Sequence, residues 1–244
     1  MQFTRVPTAT GAILYDPARI SLPSDADFDP RWLDQQARIR GLAKGRGNAW
    51  FLAPRQPDEP ALVLRHFRRG GLIARWVDDQ YLWTGESATR SFSEFKLLAL
   101  MSDWALPAAR PVAARYVREG LTYRADLLTV WIEGTRSLAA CLASDVSRLQ
   151  WWQIGHTLRA FHDAGIDHAD LNAHNILLDM DGHVHLIDFD RGRRRSLGRW
   201  RAGNLQRLKR SLEKLGMAQD PALFHAGWEA LQTGYALPRK APLR

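Results

Sequence analysis

Three side chains in the second half of this chain have the types and spacing of a metal-binding pair with a base. Asp170 and Asn175 lie five apart in His168-Ala-Asp-Leu-Asn-Ala-His-Asn175, and Asp188 follows thirteen residues after Asn175 in Leu186-Ile-Asp-Phe-Asp190. A carboxylate and an amide oxygen are hard ligands, the kind magnesium takes when it is held against phosphates. A further carboxylate beside an acceptor hydroxyl orients that hydroxyl and takes its proton. Asp188 and Asn175 suit the metal, and Asp170 suits the hydroxyl. Phosphoryl transfer to an alcohol is one chemistry that needs both tasks.

Such a set needs elements to place it. After Asn175 come the apolar Ile176-Leu-Leu178, a turn at Asp181-Gly182 and a strand-like run from His183 to Asp190. A hairpin of this kind brings both motifs to one cleft as adjacent strand ends. Ser147 to Ala164 has a helical pattern that Gly165 terminates. Leu205, Leu208, Leu212 and Leu215 continue at helical spacing. The first half reads differently. Asp29-Pro30 starts a short helix. Gly41, Gly45 and Gly47 lie between two strand-like runs within Arg38 to Leu52, and glycine lets a backbone close over phosphates. A third strand, Ala61 to Phe67, carries Arg65. Ser91 to Asp103 reads as an amphipathic helix with Phe92, Phe95 and Leu98 on its apolar side and Glu94 and Lys96 among its polar positions. Two apolar runs follow, around Val112–Tyr116 and Leu127–Ile132. The expectation is an α+β chain with a hinge near residues 130–136.

Composition narrows the class. Of 244 residues, 45% are hydrophobic and 25% charged, values of a folded protein rather than a disordered one. Cys141 stands alone, which excludes an internal disulfide. The apolar run Leu127–Ile132 falls far short of the ~20 residues that cross a bilayer, and the N-terminus lacks a secretory pattern. The formal charge is +8, yet Arg191 to Arg210 holds nine Lys or Arg and no acid, which leaves the remainder near −1. Two readings of that segment stand, a solvated basic face and a surface for something anionic. The leucines opposite its cations either lie in a membrane interface or pack inward. His168, His174, His183 and His185 lack cysteine partners and do not read as a zinc site. His168 reads as a brace for the Asp170 loop, and Asp190 as either a helper ligand or a solvated acid. The ten scattered tryptophans read as core.

The Asp170–Asn175–Asp188 spacing resembles the catalytic-loop and metal motifs of the protein-kinase-like fold. That fold implies two lobes, a β-rich N-lobe over residues 1–133 and a truncated helical C-lobe over 134–244. More specific are Gly45-Arg-Gly47 before Trp50-Phe51, Leu64-Arg-His-Phe-Arg-Arg-Gly-Gly71, Thr89-Arg-Ser-Phe-Ser-Glu-Phe95 and Tyr123-Arg-Ala-Asp-Leu127. With the His168–Asn175 and Ile187–Arg191 segments, they resemble bacterial 3-deoxy-D-manno-octulosonic acid (Kdo) kinases, relatives of the core heptose kinases. The likeness runs from about residue 30 to 215.

The resemblance implies ATP- and Mg2+-dependent phosphorylation of Kdo on a lipid A precursor, by a peripheral protein at the cytoplasmic face of the inner membrane. It gives Asp170 the catalytic role, Asn175 and Asp188 the metal, Gly41, Gly45, Gly47 and an ion pair of Arg65 with Glu94 the ATP phosphates, and His168 a supporting place. Arg191–Arg210 would meet the anionic membrane surface, and neither nucleic acid nor a protein partner is implied. Departures are visible. Arg65 replaces the usual lysine, Ala169 replaces the arginine before the catalytic aspartate, and Asp190 replaces a glycine. Only 54 residues follow Asp190, too few for a full activation segment and helical lobe, which argues against a protein substrate. Two alternatives remain: a heptose or other small-molecule kinase, and a silent kinase-fold module on anionic membranes or nucleic acid.

Overall fold

The structure is a computed structural model, and it describes residues 1–43, 49–68, 79–142, 144, 146–217 and 220–237. The chain divides into two units, Met1–Leu100 with Ala109–Trp131, and Met101–Ala108 with Ile132–Arg244. A division at 133/134 leaves 101–108 in the first unit. They group with the second because the Leu186 N–H donates to the Pro107 carbonyl at 2.9 Å and Ala108 bridges to Leu186.

The first unit is one antiparallel sheet with two helices. Its strands are β1 (Thr4–Pro7), β2 (Gly11–Tyr15), β3 (Ile39–Ala43), β4 (Ala49–Leu52), β5 (Leu62–His66), β6 (Tyr81–Leu82), β7 (Pro111–Glu119) and β8 (Thr122–Val130). They run in the order β1-β2-β7-β8-β5-β4-β3, with β6 also paired to β8. The sequence reading assigned nothing to β1 and β2; they add two strands beside β7. Helix α1 (Pro30–Gln35) begins where Asp29 Oδ1 accepts the Arg31 N–H at 2.9 Å, with Pro30 in its first turn. Alternation along β5 sends Leu62 and Leu64 into a core with Ile13, Phe28, Leu33 and Leu128, and puts Arg65 on the opposite side.

Helix α2 (Arg90–Asp103) differs from the amphipathic expectation. Ser91 and Glu94 are buried with Phe92, Phe95 and Leu98, while Ser93 and Lys96 are exposed. Polar groups enter because they are satisfied there: Ser91 Oγ donates to the Arg115 carbonyl at 2.8 Å, and the Arg90 N–H to Tyr123 Oη at 3.1 Å.

The second unit is mostly helical, with small strand pairs. It contains β9 (Arg136–Ser137), α3 (Leu138–Cys141), α4 (Arg148–Asp163), β10 (Ile166–Asp167), β11 (Ile176–Leu178), β12 (Val184–Leu186), β13 (Arg193–Arg194), α5 (Trp200–Lys214) and α6 (Pro221–Ala236). A capping box starts α4, with Ser147 and Gln150 exchanging side chain-to-backbone bonds, and Gly165 ends it at φ +75°. Helices α4 and α6 pack so closely that a Cβ on Gly155 would stand 1.9 Å from the Leu231 carbonyl oxygen, and one on Gly234 2.0 Å from that of Trp152. Of the four leucines at helical spacing, Leu208 and Leu212 are fully buried and pack inward, Leu205 is half-buried and Leu215 is exposed. The strand expected over 183–190 stops at Leu186, because Asp188 turns the chain at φ +62°. The class is α+β as expected, a β-rich unit and a helix-rich one.

Candidate active site

The β11–β12 hairpin decides where the second-half motifs meet. Ile176 pairs with Leu186, and one step further the Ile187 N–H donates to the Asn175 carbonyl at 3.1 Å. Asn175 and Asp188 therefore sit at the same end of one hairpin. Asn175 is buried, and its Nδ2 donates to the Asp170 carbonyl at 3.0 Å, which leaves its amide oxygen to offer to a cation. Asp188 holds a left-handed φ of +62°, a conformation that costs a non-glycine residue roughly 1–2 kcal/mol and that aspartate tolerates better than most. Phe189 is fully buried against His168 at 4.6 Å and Phe161 at 5.7 Å between ring centroids, and so anchors the strained turn. A carboxylate and an amide oxygen at one hairpin end are a donor set that fits a hard divalent cation.

His168 braces the loop through both ring nitrogens. Nε2–H donates to the Ile187 carbonyl at 3.0 Å, and Nδ1 accepts the Asp170 N–H at 3.3 Å. Those partners require the neutral ring, and burial lowers the imidazole's pKa in the same sense. Asp170 itself projects outward, with 59% of its side chain exposed.

Helix α5 clamps this loop with one stripe of side chains. Asn204 donates from Nδ2 to Asp167 Oδ1 at 3.0 Å and accepts the His168 N–H at 3.1 Å on its oxygen. Arg207 Nη1 donates to Asp170 Oδ1 at 2.8 Å, and Ser211 Oγ accepts the Ala173 N–H at 3.2 Å. Residues three and four apart share a helix face, so 204, 207 and 211 meet 167–173 together. Behind them His162 donates from Nε2 to Asn204 Oδ1 at 3.4 Å and accepts the Tyr235 hydroxyl at 2.7 Å. Burial drives its pKa down to about 4.

The basic run is thus partly paired with acids of its own unit. Arg195 and Arg193 reach Asp167 at 3.0 and 3.7 Å, Arg201 reaches Asp163 at 4.0 Å, and Arg207 holds Asp170. Arg194 lies over Trp104 with 5.0 Å to the ring centre. The segment is not simply a solvated face.

In the first unit, Arg65 and Glu94 form a direct ion pair. Glu94 is 3% exposed and Arg65 21%, with the guanidinium 4.5 Å from the Phe67 ring centre. Gly41 is an ordinary strand position: a Cβ there would stand 3.6 Å from Phe51 and its φ is not left-handed, so the backbone places no demand for glycine. Gly45 and Gly47 lie outside the described residues.

Two other clusters of charged side chains occur among the described residues. Asp179, Asp181 and His183 come together at the β11–β12 turn, the opposite end of the hairpin from Asn175, where Asp179 accepts the His183 N–H at 2.7 Å. The four histidines do not converge: His183 and His185 face Asp179, and His168 is inside the loop. In the first unit a polar cavity of about 690 Å³ is walled by His66, Asp79, Arg115, Arg124 and Asp126. Asp126 binds His66 at 2.7 Å and Arg115 at 2.8 Å, and Asp79 binds His66 and Arg124, each at 3.2 Å.

Arg207 is the site residue the sequence reading missed. It appeared only as one charge in a basic run; the signal that singles it out is its place between Asn204 and Ser211 on one helix face.

Residues 30–235 match the model of the lipopolysaccharide kinase (Kdo/WaaP) family. A protein of Stenotrophomonas maltophilia (strain K279a) named 3-deoxy-D-manno-octulosonic acid kinase is 50% identical over 208 residues, 84% of this chain and 81% of that protein. Proteins of the same name from Xanthomonas campestris pv. campestris (strain B100) and Xylella fastidiosa (strain M23) are 47% and 42% identical. Each match covers 93% of this chain and 90% of the relative.

Proposed function

The chain belongs to the lipopolysaccharide kinase (Kdo/WaaP) family, whose members are phosphotransferases with an alcohol as acceptor, and from that premise we propose that it phosphorylates a hydroxyl of Kdo on a lipid A precursor, using ATP. The observation that carries this reading is the hairpin register that sets Asn175 and Asp188 at one end, with Asp170 bonded to Asn175 through its backbone. In the reaction, Asp170 orients the acceptor hydroxyl and takes its proton on a carboxylate oxygen. The acceptor's hydroxyl oxygen, as it gives up that proton, bonds to the γ-phosphorus while the bond from the γ-phosphorus to the β–γ bridging oxygen breaks, and ADP leaves. Asp188 and Asn175 would hold a divalent cation, Mg2+ by the hardness of their oxygens, which neutralises charge on the phosphates when bound. His168 keeps the loop in shape through the Asp170 N–H. In the first unit Arg65, held by buried Glu94, is the proposed phosphate ligand; its fork offers two N–H groups where lysine offers one point charge. Relatives named for Kdo favour this acceptor over a heptose.

We further propose a peripheral position at the cytoplasmic face of the inner membrane. The acceptor is a lipid, and among the described residues no helix is long and apolar enough to cross a membrane. Each Lys or Arg near an anionic leaflet contributes ~1 kcal/mol, though several of the Arg191–Arg210 cations are already paired. Binding to vesicles of anionic lipid that weakens with salt supports this position, and equal binding to neutral vesicles opposes it.

The activity is tested by the mass of the acceptor after incubation with ATP and magnesium. A one-phosphate gain on the Kdo-bearing lipid, absent without Kdo and absent with Asp170→Ala, is expected. No gain on either lipid, with nucleotide bound, rejects Kdo as acceptor.

A further inference from the structure

Of the three α5 residues that hydrogen-bond the 167–173 loop, one ends on the carboxylate of the proposed base itself. Asn204 is buried and tied to the backbone of His168, and Ser211 to the backbone of Ala173. Arg207 instead meets the Asp170 side chain, where both partners stand about half in solvent, at 48% and 59% exposure. An ion pair so exposed is weak and does little to hold a loop that buried partners already fix. Among the described residues this is the polar contact Arg207 makes, one N–H to one oxygen. A guanidinium carries five donors in a planar fork and binds carboxylates best through two of them at once. The other N–H groups of Arg207 have no partner among the described residues, and the side chain stands about half in solvent beside the group that must receive the acceptor.

The acceptor proposed above is a sugar acid, so it brings a carboxylate of its own close to Asp170. Two carboxylates side by side repel each other, and a guanidinium between them removes the repulsion. We propose that Arg207 reads the acceptor's carboxylate: it stays on Asp170 and takes the sugar acid's carboxylate on its remaining N–H groups, which sets the hydroxyl that Asp170 faces. A neutral sugar has no group for it. This inference rests on the Kdo kinase reading and deepens it to a specificity residue.

The test combines Arg207→Met and Arg207→Lys with two acceptors, the Kdo-bearing lipid and the same lipid with its Kdo carboxyl methyl-esterified. With wild-type protein, esterification is expected to lower kcat/KM by about 10- to 100-fold, the range for one charged hydrogen-bonded contact. Arg207→Met should lose a similar factor on the acid and little more on the ester, with KM for ATP unchanged and the melting temperature retained. Arg207→Lys should recover part of the loss on the acid alone. If the two losses multiply, or Arg207→Met lowers kcat equally on both acceptors, Arg207 does not read the carboxylate. Wild-type protein that phosphorylates neither lipid defeats the underlying reading instead, and is told apart by that result.

Discussion

Arg65 with Glu94 and Arg207 with Asp170 are the same chemical pair in two settings. In the first unit the carboxylate is buried and the arginine is mostly covered; in the second both are half in water. Burial removes solvent competition, so the first pair is part of the fold, and removing one member exposes the cost of desolvating the other. Exposure keeps water in competition, so the second pair is exchangeable and available to a ligand. A phosphate ligand needs to be held in advance, and a base needs to be reached.

Five changes break or sharpen this contrast. Asp170→Asn should have the largest effect, a fall in kcat of about 10²- to 10⁴-fold with the fold intact, the range for loss of a general base. Steady-state turnover with a parallel melting curve checks it, and wild-type turnover would remove Asp170 from the chemistry. Next, Arg65→Met should destabilise the protein by about 3 kcal/mol, the lower end for an orphaned buried partner given Arg65's partial exposure, as read by denaturant unfolding.

Acid and base should then separate the two units. His162 in the second unit has a folded pKa near 4, below its ordinary 6.5, so the unfolded chain takes up a proton first as pH falls. Its contribution is complete above about pH 6.5 and lost toward pH 4, roughly 3 kcal/mol in all. Urea midpoints for wild type and His162→Gln should therefore converge as acid is added. His66 in the first unit behaves oppositely. Burial lowers its pKa, but Asp126 and Asp79 outweigh that and leave it raised. What it contributes is present below about pH 6.5 and is lost as pH rises through the raised value. A His66→Gln penalty that grows with pH would contradict this. Arg207→Ala should have the smallest effect on stability, under ~1 kcal/mol by the same unfolding measurement.

Local spacing carried much of this site. Asn175 and Asp188 are close enough in sequence that one hairpin unites them, the turn at Asp181-Gly182 announces it, and Asp170 is near enough along the chain for its carbonyl to bond Asn175. The β3–β4 hairpin, β5, the span of α4 and its stop at Gly165 were likewise readable, because each depends on neighbours a few residues away. Other features escaped for a physical reason. The pairing of Glu94 with Arg65 was expected from the kinase-like pattern, but its burial was not: periodicity puts Glu94 on the polar side, and only the partner from a distant strand makes burial tolerable. Leu208 and Leu212 have the same spacing on a membrane surface as in a core.

By itself the sequence determined the residue types of the proposed chemistry, their order and the α+β class, since propensity, turns and period are local properties. Tertiary structure alone decided which charges are spent. It put four arginines of the basic run onto Asp163, Asp167 and Asp170, and it set Arg207 beside the proposed base across 37 residues of chain. Charge depends on distance in space and on the water left around it, and neither is written along the chain.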